Sequence, residues 1–290
     1  MGGHGTVALV GGSVDLLNYA FALIGRCEQL WSRFLPTSDL GQLNWAEGKP
    51  VEVDPLTVRL IGAMREGAAL TNGDFDPTLL PDVIAAGYGA SRVAPSRVTT
   101  LPASAASPGR LEEITIQGTT VRMPIGTTLD AGGIGKGLAA DLVCELLVGR
   151  GAAGVMAELG GDIVVAGQAP DGDAWVLGLE NPFDTSELLM TVRIVRGAIV
   201  TSSQRKRRFS TPVGERHHLI DPRTSTSATS DIQTVTVIAA TGARAEALAK
   251  SGFLREPAEY LSWLPEVGGA GLLVDATANQ YASTNWERYS

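Results

Sequence analysis

The chain has 290 residues, 44% hydrophobic and 19% charged, with 23 Lys and Arg against 31 Asp and Glu and a formal net charge of −8. That composition excludes wholesale disorder, is long enough to bury a sizeable core, and does not read as a non-specific nucleic-acid binder, which needs a basic face. Its two cysteines, Cys27 and Cys144, lie far apart in apolar helical patterns, so they read as buried thiols and not as a disulfide framework or a thiolate metal site.

No uncharged apolar run reaches the ~18 residues of a membrane span. The N-terminal stretch MGGHGTVALVGGSVD has neither a basic region nor an apolar region of the kind a secretory leader carries. The compartment is not legible.

In chain order, Thr6 to Val10 predicts a strand and Gly11-Gly12 a turn. A helix follows, with Ser13 as N-cap and Asp15 in its first turn. Leu17, Phe21, Ile24, Cys27, Trp31 and Phe34 are expected on one buried face. Asp54-Pro55 opens a second helix, an N-cap acid followed by Pro at the first helical position, running to about Leu70. Pro95 to Arg110 reads as a loop, and Ile114 to Met123 as a hairpin. A third helix is expected from Gly135 to Arg150, with Gly151 closing it. Strands dominate from Gly154 to Ser203, with alternation over Ala174–Leu179 and Met190–Val195. Thr234 to Ala240 is a strand leading into a fourth helix over Ala243–Leu254, and a hairpin over Ala270–Ala276 and Gln280–Thr284 closes the chain. There is no regular βαβ alternation, which argues for an α+β fold over a doubly wound sheet, and no composition break marks a linker.

Several segments carry residue types suited to chemistry. Leu129 to Gly137 (LDAGGIGKG) is a Gly-rich turn opening a helix, a place where backbone amides approach a phosphate closely. It is not a nucleoside-triphosphate loop, because Asp130 stands where the first Gly belongs and Gly137 where the hydroxyl belongs. The dinucleotide pattern fails at Leu138. Asp74 to Thr78 (DFDPT) reads first as a turn, and Gly160-Gly161 either as a hairpin turn or as a close backbone approach. His217 and His218 are adjacent, so on a strand only one of them faces a given site. The run Arg205 to Arg208 reads as a solvated loop or as an anion-steering patch. Taken alone, Glu246 and Lys250 read as an exposed ion pair one helical turn apart.

Together, and in this order, these segments resemble the FAD:protein FMN transferase (ApbE-like) family over nearly the whole chain. The resemblance runs from Arg33-Phe34 and Ser38–Asn44 through Asp76-Pro77-Thr78, Gly87-Tyr88, Leu129–Gly137 with Asp141, Leu159–Ile163, Glu180-Asn181-Pro182 and Thr201-Ser202 to His218–Thr224. Ser203 and Ser225 stand where the family has Gly.

The resemblance implies an α+β fold of mixed, largely antiparallel sheets packed with helices, in one domain over 1–290, and an enzyme that binds FAD as a substrate and passes its FMN half to a Thr or Ser hydroxyl of an acceptor protein, releasing AMP with help from a divalent cation such as Mg²⁺. It implies that Phe34, Gly87, Tyr88, Asp130, Lys136, Thr201, Ser202 and His217 hold the FAD. Gly133 and Glu246 fall at metal-ligand positions, and His218, oriented by Asp221, assists deprotonation of the acceptor hydroxyl. One departure bears on that picture: the family's D-A-L-A-T, whose Asp and Thr bind the metal, reads Glu246-Ala247-Leu248-Ala249-Lys250 here. Glu is an oxygen donor with a different reach, and a protonated Lys is no ligand. A FAD-binding or FAD-hydrolysing protein without transfer is the alternative.

Overall fold

The computed structural model describes residues 3–91, 93–205, 208–211 and 214–290, with the backbone alone over 208–211 and 214–217. Seven helices are described: α1 (Leu16–Trp31), α2 (Asp39–Trp45), α3 (Pro55–Leu70), α4 (Leu80–Ala85), α5 (Gly135–Gly149), α6 (Gly242–Ser251) and α7 (Pro257–Trp263). The strands are β1 (Gly5–Val10), β2 (Pro50–Glu52), β3 (Thr115–Gln117), β4 (Thr120–Arg122), β5 (Gly154–Leu159), β6 (Asp162–Gly167), β7 (Trp175–Glu180), β8 (Leu188–Ile194) and β9 (Gly197–Ser203). They continue as β10 (Arg208–Thr211), β11 (Gly214–His217), β12 (Ile220–Asp221), β13 (Thr226–Ser227), β14 (Ile232–Ala239), β15 (Ala270–Asp275) and β16 (Gln280–Ala282).

The centre is a seven-stranded sheet in the order β1-β5-β6-β9-β14-β15-β16. Every neighbouring pair in it is antiparallel, as the α+β expectation requires. Both faces are covered. Helices α5 and α6 lie on one face, α1 packing on α5 and α3 on α6, over a core that includes Val155, Ala157, Val200, Val235 and Val237. The β7–β8 hairpin covers the other face, placing Trp175, Leu177, Val192 and Ile194 against Val165, Ile199, Ile238 and Leu272, with Trp286 from the chain's last turn. Every residue of β14 is buried. This explains why TVTVIA reads as a nearly continuous β-branched and apolar run and not as an alternating one. A smaller three-stranded sheet, β2-β4-β3, includes the expected hairpin.

The Asp54-Pro55 start holds as predicted: Asp54 accepts from the Leu56 amide at 2.8 Å. Three boundaries differ. Ser13 caps a preceding turn, its hydroxyl accepting from the Asp15 amide, and α1 begins at Leu16. The buried stripe of α1 is Leu16, Ala20, Cys27 and Trp31, while Phe21 is 52% exposed. One residue is 100° of helical rotation, so the stripe that meets α5 leaves Phe21 outside. Phe34 lies past the helix end at Ser32. Helix α6 stops at Ser251, not Leu254. Both thiols are free and buried, and burial pushes each up to about 12; neither is a nucleophile near neutral pH.

What positions the site is the junction of α5 with α6. An added Cβ at Gly137 would lie 2.3 Å from the Gly242 carbonyl carbon and oxygen, so the two backbones touch at their glycines. Each glycine is followed four residues on by an acid that serves the other helix. Asp141 of α5 accepts from the Gly242 amide at 2.7 Å and the Ala243 amide at 3.0 Å. Glu246 of α6 accepts from the Gly137 amide at 2.7 Å. Each carboxylate therefore satisfies amides that the first turn of a helix leaves without intrahelical partners, and meets the positive end of that helix's dipole.

Two outcomes follow. Gly137→Ala forces the helices apart against backbone atoms and costs roughly 3 kcal/mol or more, measured by urea unfolding. Burial raises the Asp141 carboxyl from 3.8 to about 6, against the downward pull of the two amides. A folded-state value above the unfolded one means that this stabilisation is complete below about pH 4 and lost as pH rises through 6. The stability of the protein relative to its Asp141→Asn variant therefore falls by about 2–3 kcal/mol across that interval, read from denaturant melts at successive pH values.

Candidate active site

Segments distant in the chain line one cleft at the rim of the sheet. Its walls include Arg33, Phe34, Phe75, Tyr88, Asp130, Gly133, Lys136, Asp162, Thr201, Ser202, His218, Glu246 and Lys250. The 129–133 turn is held from three sides. Asn44 of α2 grips Leu129, donating to its carbonyl at 2.9 Å and accepting from its amide at 2.7 Å. The Asp130 amide donates to the Pro77 carbonyl at 2.9 Å. The Asp130 carboxylate caps the following turn through the Gly132 amide at 3.0 Å and lies 3.4 Å from the Arg33 guanidinium. A side chain at Gly133 would press on the Phe75 ring at 3.1 Å and lie 3.6 Å from the Lys250 stem, so glycine there keeps the cleft open. Asp76, expected in a turn, caps that turn through the Thr78 amide and hydroxyl, at 2.8 and 2.6 Å.

Lys136 projects from the first turn of α5 between two buried carboxylates. It donates to Glu246 Oε1 at 2.6 Å and to Asp162 Oδ2. Burial alone lowers the pKa of an ammonium, but Glu246 and Asp162 override it, and Lys136 is held above its ordinary value. Burial would likewise raise Glu246, yet Lys136 and Lys250 hold it below the usual carboxylate range. Asp162 moves up, because its own burial outweighs the pull of Lys136. Asp162 starts β6 after a two-residue hairpin turn, with Gly160 at φ +62° and Gly161 at +93°, a turn that favours glycine at both positions. The Gly-Gly pair is thus a hairpin turn, and it also makes room: a Cβ at Gly160 would lie 3.4 Å from the Lys136 stem.

Glu246 and Lys250 are not an exposed ion pair. Glu246 is 1% exposed and turned to Lys136, while Lys250 donates to Ser202 Oγ at 3.0 Å and to the Glu246 carbonyl at 3.3 Å. Ser202 and Thr201 point to opposite sides of β9. Ser202 faces Lys250, and the Thr201 hydroxyl meets that of Thr236 at 2.9 Å. On the far wall the Tyr88 and His218 rings lie 5.7 Å apart, tilted by 48°. Arg33 stacks over the Phe34 ring at 4.3 Å and donates to the Tyr88 carbonyl at 2.7 Å.

The cleft does not collect every expected residue. Gly87 is not on its wall; it turns the chain after α4 at φ +107°. Asp221 is also off the wall, and its carboxylate accepts from the Arg223 Nε and amide, each at 2.9 Å. Burial would raise that carboxyl, but the Arg223 bonds hold it below the ordinary range. Ser225, where the resemblance expects Gly, ends this turn at φ +57°. The His217 side chain and most of the Arg205–Arg208 run lie outside the described residues. Asp162 and Arg33 were absent from the expected site set. Their signals were present, the acid inside LGGDI and the cation beside Phe34, but only the fold shows them pairing with Lys136 and Asp130.

Gly133 and Glu246 hold the expected metal-ligand positions, on the cleft wall. One Glu246 carboxylate oxygen accepts from Lys136 and the other from the Gly137 amide, while the Lys250 ammonium donates to the Glu246 backbone carbonyl. Among the described residues no group of three or more His, Cys, Asp or Glu is placed to hold a metal ion. No helix among the described residues is long and apolar enough to cross a membrane. Lys136→Met leaves two buried carboxylates without their counter-charge and destabilises the fold by about 3–5 kcal/mol in urea titrations; adding Glu246→Gln recovers part of the loss.

The chain and its fold are similar to known proteins. A FAD:protein FMN transferase of Treponema pallidum is 28% identical over 274 residues, covering 89% of this chain and 76% of that protein. One from Klebsiella pneumoniae is 27% identical over 228 residues, 77% of this chain and 70% of that protein. The fold matches the ApbE protein of Thermotoga maritima with a TM-score of 0.83 at 24% identity, covering 98% and 95% of the two chains. It matches the flavin transferase ApbE of Vibrio cholerae with a TM-score of 0.80 at 22% identity, covering 100% and 96%. The ApbE family model spans residues 1–273, and this chain belongs to the ApbE family.

Proposed function

We propose that this protein is a flavin transferase that binds FAD in the cleft and transfers its FMN moiety to a Thr or Ser hydroxyl of an acceptor protein. The observation that carries the reading is the convergence, in one cleft, of the segments that resemble the family: Asp130 and Lys136, Thr201 and Ser202, Tyr88 and His218. Relatives named FAD:protein FMN transferase across most of the chain support it.

In the reaction, the acceptor hydroxyl oxygen attacks the phosphorus of the FMN half. A new P–O bond forms as the bond to the bridging pyrophosphate oxygen breaks. That oxygen leaves with the electron pair as AMP, and the hydroxyl proton passes to a base. The protein's contribution is positioning and charge stabilisation, as in phosphoryl transfer generally. We assign the base to His218, which borders the cleft beside Tyr88. Asp221 then acts as a positioning residue, fixing with Arg223 the turn that follows His218. Phe34 and Tyr88 supply rings for stacking on the flavin or adenine. Lys136 is already neutralised by two carboxylates, so its part is to hold the α5–β6–α6 junction that shapes the floor.

Incubation with FAD and a protein domain carrying a Thr or Ser flavinylation site is expected to release AMP and leave the acceptor covalently fluorescent. AMP without an acceptor indicates hydrolysis, and bound FAD with no AMP in any tube sinks the transferase reading. His218→Asn lowers the transfer rate about 100-fold or more while changing FAD affinity little, measured by single-turnover AMP release and by flavin fluorescence titration.

A further inference from the structure

Resting on the flavin-transferase reading, we infer that Arg255 is a positioning residue that masks the Asp74 carboxylate from behind the cleft wall, so that the cleft admits an anionic dinucleotide. The wall by itself has the wrong charge balance for such a ligand. Among the described residues, six Asp and Glu border the cleft against four Lys and Arg. Asp130 is paired with Arg33, and Asp162 and Glu246 share Lys136. Asp74 draws its cation from off the wall. Arg255, in the turn after α6, donates from Nε to Asp74 Oδ2 at 2.5 Å. The two side chains are 17% and 13% exposed, a depth at which salt screens a charge poorly.

Arg255 is held in place from three sides. Its amide donates to the Ser251 carbonyl at 3.0 Å, at the end of α6. A second guanidinium nitrogen donates to the Thr71 carbonyl at 3.0 Å. The guanidinium carbon also lies 3.9 Å from the centre of the Trp263 ring of α7, a favourable cation–π distance. Thr71 in turn sets the loop: its hydroxyl donates to the Gly67 carbonyl at 2.8 Å and accepts from the Phe75 amide at 3.0 Å. Contacts therefore run from α6 and α7 through Arg255 to the segment that puts Asp74 and Phe75 on the cleft wall. Arg223 acts on Asp74 through space, but its guanidinium is bonded to Asp221 at 2.9 and 3.1 Å and to the Leu254 carbonyl at 3.0 Å. Removing the Arg255 charge leaves a part-buried carboxylate beside a ligand that carries negative phosphates, and like charges repel most where water is scarce. A flavin without phosphates is spared that repulsion.

The test is fluorescence titration with FAD and with riboflavin, which has the same ring system and no phosphate. Arg255→Met is expected to weaken FAD binding about 5- to 20-fold and riboflavin binding by less than about twofold. Adding Asp74→Asn restores most of the FAD affinity, because the carboxylate that needed masking is gone. Arg255→Lys keeps the charge and stays within about threefold of the wild type for FAD, the difference reflecting the lost fork geometry. Circular dichroism and thermal melting confirm folding. Should Arg255→Met not fold, Asp74→Asn alone decides: it tightens FAD binding about two- to fivefold and leaves riboflavin unchanged. Equal weakening of both flavins by Arg255→Met, no weakening of either, or no recovery on adding Asp74→Asn overturns the inference. An Asp74→Asn variant with unchanged FAD affinity does the same. FAD bound without AMP release overturns the transferase reading alone, because every arm here reads affinity; a wild type that binds no FAD overturns both.

Discussion

Two helices that touch through their first-turn glycines and exchange acids organise this protein. Gly137 and Gly242 let the α5 and α6 backbones meet, and at that distance the amides at both helix starts are shut away from water. A buried amide without a partner costs about as much as a lost hydrogen bond, so each start needs an acceptor. Asp141 and Glu246, each four residues past its own glycine, reach across and supply one. Close approach and reciprocal capping depend on each other: bulk at either glycine removes the reach, and loss of either acid strands the amides.

The site inherits its layout from that junction. The α5 start carries Lys136, and α6 carries Glu246 and Lys250 on successive turns. Packing of both helices on one face of the sheet brings them to Asp162 at the start of β6 and Ser202 at the end of β9. The opposite sheet face is closed by the β7–β8 hairpin, so both faces of the central strands are committed to packing. The open ground is the rim, where loops arrive from the N-terminal third with Phe34, Phe75 and Tyr88 and from the segment holding His218. A cleft with an aromatic wall on one side and a balanced ionic floor on the other suits a ligand with flat rings joined by a charged linker.

The legible parts of the chain were those whose signal is local. The α3 start was readable because Asp54 and Pro55 act on their own neighbouring backbone, and the 160–161 turn because two positive φ values call for Gly. Short α2, α4 and α7 carry too few residues for a periodic stripe, and they escaped. The face of α1 was misread by one residue because Phe21 is as apolar as its neighbours, and only contact with α5 decides which of them is inside.

The sequence by itself determined the longer helices and strands, their mixture without βαβ alternation and, through the order of its motifs, the family resemblance that implied antiparallel sheets. Those depend on backbone preference, apolar periodicity and residue identity along the chain. The tertiary structure alone decided what the charges do. Glu246 and Lys250 are one turn apart and look like partners, yet Glu246 is drawn to an ammonium 110 positions away and Lys250 to a hydroxyl 48 positions away. Pairing strength is set by distance and exclusion of water, and both come from how helices and sheet pack. Spacing along the chain specifies neither.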